Sequence, residues 1–330
     1  MDLLSDVVES MRAGIPGGAR VELRGSSWGW WMPGDPDVAG FLSVLSGGCW
    51  MFPEDGEPPE RLGPGDVVLS PHGGGYGLGD TPDPPTETLE EARPDTGGGF
   101  GRHTFGALGA PAVPGSGPST VLVCGGYRLD RERTHPLLSA LPEHVRVRTS
   151  EGREPRLERV LAVLGEETAT ARPGTDALVA LLLDALLLYT LRACLEERAE
   201  GEAPDGWARA LADPGVGAAL AAVHGDPARP WTVAALAAAA RMSRATFARR
   251  FTALAGQPPM AYVAWWRLNT ARGLLRDTDL PVEAVAARVG YTSPFAFSRA
   301  FRRAYGAAPG RFRRSLGTGV TALGPTRVPR

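Results

Sequence analysis

The sequence predicts an α+β fold: a strand-rich N-terminal part forming a β-sandwich or small barrel, then a helical segment, then an all-α C-terminal region. Three observations lead there. Residues 20–80 carry short apolar stretches set apart by Gly and Pro, the apolar spacing turns helical from Glu154 onward, and the C-terminal region repeats itself at an offset of 50 residues. The charge divides along the chain as well. The 330 residues sum to a formal −2, yet positions 228–330 hold 17 arginines against three acids, Asp277, Asp279 and Glu283. That leaves 18 basic and 34 acidic residues for positions 1–227. Halves of opposite sign indicate an acidic domain joined to one that meets a polyanion.

The strands read in order as RVELRG (20–25), GWWM (29–32), GFLSVLSG (40–47), CWMF (49–52) and GDVVLS (65–70), with STVLVCGGYRL following at 119–129. Residues 81–119, rich in Pro, Gly and Thr, read as a mobile loop or insertion. PRLERVLAVLGEETA and residues 176–199 read as two helices joined by TARPG, and EGEAPDG (200–206) as a linker. The run 177–195 is the most apolar, but Asp184 and Arg192 interrupt it, so it reads as a buried or dimerising helix rather than a membrane span. The N-terminal stretch MDLLSDVVESMRAG has acids where a signal peptide carries positive charge. Cys49, Cys124 and Cys194 lie far apart with no C-x-x-C pair. This argues against a disulfide framework or zinc ribbon and fits a reducing cytosol.

Seven positions carry the repeat: Ser243 matches Ser293, Phe247 Phe297, Arg249 Arg299, Phe251 Phe301, Gly256 Gly306, Pro259 Pro309, and Tyr262 Phe312. Each copy reads as a short apolar helix, a tight turn (RM or GYT), a capped second helix, and a Gly-x-x-Pro break. Thr232, Ser243 and Ser293 sit where N-caps belong, and Pro281 fits a first helical turn. The arrangement is helix-turn-helix, whose second helix can enter a DNA major groove. On a helical wheel with Arg299 at 0°, Arg302 falls near ~300° and Arg303 near ~40°, while Phe297, Ala300 and Phe301 fall at ~160°, ~100° and ~200°. One face therefore packs and the other presents guanidinium groups, which can bind guanine or hold phosphate. In the first copy Phe247 and Phe251 pack and Arg249 points away. Between the copies, PMAYVAWWRLNTARGLLRD (259–277) reads as one helix of ~19 residues, ~28 Å long. A spacer of that length holds two reading helices about one DNA turn, ~34 Å, apart.

RLNTARGLL together with VEAVAARVGYTSPFAFSRAFRRAYGAAPGRFR resembles the signature of the AraC/XylS family of transcription regulators, over roughly residues 207–314. The resemblance implies reading helices at about 243–254 and 293–305. It places the DNA contacts on Arg244, Ala245, Thr246, Ala248, Arg249 and Arg250 in the first and on Pro294, Phe295, Ser298, Arg299, Arg302 and Arg303 in the second. Apolar Pro294 and Phe295 depart from the polar residues often found there, which turns that copy toward phosphate contacts. RLGPGDVVLSPHGGGYGLGD (61–80) and VLVCGGYRLDRERTHPLLSALPEHVRV (121–147) are similar to cupin-type sensor domains, with Gly63, Gly65 and Asp66 fitting the tight turn before a cupin strand.

Cupin enzymes hold a metal through clustered histidines, but His72, His103, His135, His144 and His224 form no H-x-H, and Tyr76 stands where related sensors often carry histidine. No metal site or cofactor is expected. A metal-dependent cupin enzyme with an accessory DNA module is the alternative reading, and a DNA-binding protein whose N-terminal half only dimerises is a third. A DNA-repair methyltransferase is set aside because no Pro-Cys-His-Arg-like motif is present. A small-molecule site is expected around Trp28, Trp30, Trp50, His72 and Tyr76, beside Trp31, since aromatic walls suit an apolar ligand. Cys49 and Cys124 are candidate oxidant-sensing thiols.

The reading is a one-component, non-enzymatic, cytoplasmic regulator: residues 1–150 a cupin-like β-barrel sensor, 151–206 a helical dimerisation segment and linker, 207–316 a double helix-turn-helix domain, and 317–330 a disordered tail. Its expected partners are double-stranded promoter DNA, a second copy of the chain, a small-molecule effector and RNA polymerase, with no membrane.

Overall fold

The computed structural model describes residues 4–6, 8, 16–24, 28–87, 119–128, 135–149, 154–170, 172–200 and 206–318. Most of the expected loop over 81–119 and nearly all of the expected tail lie outside them. The chain divides into two compact units, residues 11–204 and residues 205–330 together with 1–10.

The described residues of unit 11–204 form nine strands in two sheets: β1 (Gly17–Arg24), β2 (Gly29–Met32), β3 (Val38–Ser46), β4 (Cys49–Pro53), β5 (Glu60–Leu62), β6 (Val67–Ser70), β7 (Tyr76–Gly79), β8 (Ser119–Arg128) and β9 (Val145–Val147). One sheet has the order β1-β8-β3-β6-β9, the other β2-β7-β4-β5, and every pairing is antiparallel. Period-two alternation sends Trp30 and Met32 inward and leaves Gly29 and Trp31 half-buried on the outer face. Inward residues of both sheets, among them Leu42, Val44, Met51, Leu62, Leu78 and Leu122, form one core. β6 is buried throughout because its second face is covered too. Leu186 and Leu187 of the helix α3 (Thr175–Glu200) meet Phe41, Val67, Leu69 and Tyr127 there, and the Tyr127 hydroxyl donates to the Leu183 carbonyl.

The turn before β6 forms around Gly63, Gly65 and Asp66. The Asp66 carboxylate accepts from the Gly63 amide at 2.9 Å and from Arg146 of β9 at 2.7 Å. Gly65 has φ +88°, and a Cβ there would stand 2.1 Å from the Thr149 hydroxyl oxygen, so only glycine fits. Arg146 also pairs with Glu60 of β5 and so ties the two sheets together. The short helix α1 (Pro136–Ser139) follows His135, whose Nδ1 accepts from the Leu137 amide. Helix α2 (Pro155–Ala169) then packs against α3. Residues 175–198 are apolar and long enough to cross a membrane, and an 18-residue stretch of them has mean hydropathy 2.0, but half of that stretch is buried.

Unit 205–330 is helical: α4 (Gly206–Ala212), α5 (Pro214–Gly225), α6 (Val233–Ala239), α7 (Arg244–Ala255), α8 (Pro259–Asp277), α9 (Val282–Arg288), α10 (Pro294–Tyr305) and α11 (Pro309–Thr318). The expected caps form. The side chains of Thr232, Ser243 and Ser293 accept from the amides of Ala235, Thr246 and Ala296, each bond contributing about 1 kcal/mol. Pro281 stands one position earlier than expected, as the N-cap of α9. Asp6 reaches into this unit. His224 donates through Nδ1 to the Asp6 carboxylate (3.1 Å), accepts at Nε2 from the Tyr262 hydroxyl (2.7 Å), and stacks on Trp266 at 3.6 Å between ring centres. Burial holds the imidazole below its usual pKa, against the pull of Asp6, so it is neutral at pH 7.

Candidate nucleic-acid interface

The repeat is a repeat of packing geometry. Phe247 and Phe251 lie 5.6 Å apart at 51°, and Phe297 and Phe301 lie 5.6 Å apart at 55°. Phe251 meets Tyr262 edge-on at 5.9 Å, as Phe301 meets Phe312 at 5.6 Å. α7 and α10 both end on left-handed glycines, Gly256 at φ +70° and Gly306 at φ +71°. Pro259 and Pro309 then open α8 and α11.

The turns inside the two units close alike. The Arg241 and Met242 amides donate to Ala238 and Ala237, and the Gly290 and Tyr291 amides to Ala287 and Ala286. Gly290 adopts φ +82° and Arg241 φ +54°. The second turn is one residue longer, with Thr292 inserted before the cap. The offset is therefore 49 residues before the turn and 50 after it.

α7 and α10 each bury their phenylalanines and expose the opposite face. Phe247, Phe297 and Phe301 are fully buried, while Arg244, Arg249, Arg299, Arg302 and Arg303 are exposed. Among the described residues none of these five guanidinium groups is held by a carboxylate. Ala245 and Thr246 are exposed on the same helix as Arg249, with Ala248 half-buried; Pro294 and Ser298 are half-buried and Phe295 is 84% exposed.

Arg250 differs from its neighbour Arg249. It pairs with Asp213, the N-cap of α5, whose other carboxylate oxygen accepts from the Gly215 and Val216 amides at 2.9 and 2.8 Å. Despite the burial of Asp213, these bonds hold its carboxyl below the usual range. Arg250 thus joins α7 to α5. Three further arginines also serve the fold. Arg313 donates to the Leu275 and Leu280 carbonyls, Arg267 to those of Pro227 and Arg229, and Arg272 lies buried 5.0 and 5.1 Å from the Tyr305 and Phe312 rings. The basic excess is therefore a mixture of braces and outward charges. Sequence reasoning missed exposed Arg311 and Arg314 on α11, although they lie in the basic run GRFRR.

In the strand-rich unit the candidate ligand residues separate. Trp28 and Trp30 lie 5.6 Å apart in the core with Tyr76, whereas Trp50 alternates to the outer side of β4 and stays half-buried. His72 donates from Nε2 to the Leu141 carbonyl, and His144 meets the Ser70 hydroxyl at 2.9 Å. Among the described residues no three His, Cys, Asp or Glu side chains gather in reach of one metal ion. Cys49 and Cys124 are buried in the same core. Burial pushes the Cys49 thiol up to about 12 and raises that of Cys124 as well. An oxidant-sensing role needs accessible thiolate, and this burial opposes it.

Two helix-turn-helix units joined by one continuous helix, each showing arginines on its outer face, define a DNA-binding protein. The helix-turn-helix domain model matches residues 236–315, and a cupin model matches residues 2–196. The chain is 35% identical to an AraC-like transcription regulator of Streptomyces antibioticus over 84% of this chain and 88% of that protein. It is 31% identical to the HTH-type transcriptional regulator MtrA of Neisseria gonorrhoeae, over 96% of this chain and 99% of MtrA. Among solved structures, it is similar to the DNA-binding domain of AdpA in complex with a target DNA, at 34% identity, over 34% of this chain and 99% of that one, with a TM-score of 0.32. The chain belongs to the AraC family of transcription regulators, with a cupin domain ahead of its helix-turn-helix domain.

Proposed function

We propose that α7 and α10 enter successive major grooves on one face of a promoter duplex, with Arg249 and Arg299 toward base edges and Arg244, Arg302 and Arg303 toward phosphates. The observation that carries this is the matched pair of outward arginine faces, spaced by the 19-residue helix α8. Arg250 is left out of the contact set and assigned to positioning α7. If the three phosphate-facing arginines each neutralise one phosphate, log K against log salt has a slope of about −2.7 per protomer. Titrating the full-length protein onto promoter duplex at graded salt tests this. A slope shallower than about −2 contradicts the assignment.

The strand-rich unit is proposed to dimerise through α3. Leu178 and Leu181 are exposed there, the latter by 65%, and the half-buried Ala185 and Leu188 continue the same a/d spacing. Leu181→Glu is expected to convert a dimer to monomers in light scattering, and an unchanged mass refutes it. A small-molecule effector at the cupin domain and contact with RNA polymerase complete the one-component reading, which places the protein in the cytoplasm and gives it no catalytic activity. A ligand-induced rise in melting temperature separates a sensor from a domain that only dimerises.

A further inference from the structure

We propose that Phe295 is a specificity-determining residue of α10 and reads thymine through its C5 methyl group in the major groove; this rests on the DNA-reading assignment of α10. Phe295 is the most exposed large apolar residue among those described, at 84%, ahead of Leu181 at 65%. Phe297 and Phe301, on the same helix, are fully buried, so the core of this unit is complete without it.

Its direction is set by the helix. With Arg299 at 0°, Phe295 falls at ~320°, between Arg299 and Arg302 (~300°) and opposite Phe297 (~160°). The ring thus shares its face with the guanidinium groups. Its backbone is fixed as well, because Pro294 occupies the first helical position and Ser293 caps the turn. An aromatic side chain with two rotatable bonds then loses little freedom on contact. The first turn of a reading helix is the part that meets base edges.

The chemistry narrows the target. Phosphates and most base edges are polar, and the apolar group that the major groove offers is the thymine methyl, which Phe and Ala side chains both contact. The repeat supports the same position in the first copy. Ala245 stands two residues after its cap and four before Arg249, as Phe295 does before Arg299. Ala245 offers a methyl where Phe295 offers a ring, so the second helix makes the stronger demand for thymine. One helical turn separates Phe295 from Arg299, which places the thymine roughly one to two base pairs from the base that Arg299 reads.

The test uses full-length protein and duplexes it selects from a randomised library, remade with single dT→dU replacements that remove only the methyl. At one or two positions dU is expected to weaken the wild-type protein about 3- to 5-fold per methyl. Phe295→Ala, with an unchanged melting temperature, is expected to bind the parent duplex more weakly and to lose the dT/dU difference there. Phe295→Leu is expected to keep part of it, and Arg299→Ala to lose affinity while keeping the ratio. A Phe295→Ala protein with the wild-type dT/dU ratio at every position overturns the proposal, as does a wild-type protein indifferent to dU. If Arg249→Ala and Arg299→Ala both bind as wild type, the DNA-reading assignment itself fails, and this proposal with it.

Discussion

Arg249 and Arg250 are neighbours on one reading helix, and their replacement by alanine should separate DNA recognition from folding. Arg249 is exposed and no carboxylate holds it. Losing it removes a base contact worth about 1–3 kcal/mol, about 5- to 150-fold in Kd for the cognate site, and relaxes preference at one base pair. Its melting temperature should not move, because a free surface arginine contributes within about 0.5 kcal/mol. Arg250 is paired with Asp213, whose side chain is 5% exposed, while its own is 53% exposed. Breaking a fully buried pair costs about 3–5 kcal/mol, and water reaching the exposed guanidinium side reduces that here to about 1 kcal/mol. That corresponds to a drop of about 3 °C, since Asp213 keeps its two amide donors. Fluorescence anisotropy on cognate and random duplexes, with thermal melts of the same proteins, reads both quantities. The reasoning is refuted if Arg250→Ala matches Arg249→Ala in lost affinity with no thermal change. It is equally refuted if Arg249→Ala weakens cognate and random DNA alike.

Three further outcomes follow from the packing and the titrating groups. Phe301→Ala should destabilise the helical unit by about 3–5 kcal/mol in urea, since the fully buried ring meets Phe297, Tyr305 and Phe312. Gly290→Ala should cost about 2–4 kcal/mol, because a Cβ at φ +82° would stand 2.7 Å from the Ala228 carbonyl oxygen. His224 is neutral in the fold, with a pKa lowered by burial, and protonates more readily when unfolded. Its contribution is therefore complete above about pH 6.5 and declines as pH falls below that. Melts from pH 7.5 to 5.5 should show the decline, and His224→Gln should flatten it.

What the sequence made legible followed from local rules. The Ser caps, the terminal glycines and the i, i+4 phenylalanines each act within one helical turn, and so both reading helices were found with their faces correctly oriented. β5, β7 and β9 escaped notice. Two have only three residues, and β7, Tyr-Gly-Leu-Gly, has the composition of a turn and is a strand because β2 and β4 flank it. The division of Trp30 from Trp50 required the strand registers, and grouping them by proximity in sequence hid it. The Arg250–Asp213 pair and the His224 contact with Asp6 span 37 and 218 residues. No periodicity records contacts of that range, so Arg250 looked like another reading arginine.

The central claim is that one protomer reads a duplex with two helices about one helical turn apart. Hydroxyl-radical footprinting of the full-length protein on a selected site tests it most directly. Two protected patches per protomer, on the same face and centred about 10–10.5 base pairs apart, are expected, with the patch belonging to α10 lost in Arg299→Ala/Arg302→Ala. A single protected patch per protomer, or two patches on opposite faces of the duplex, would contradict it.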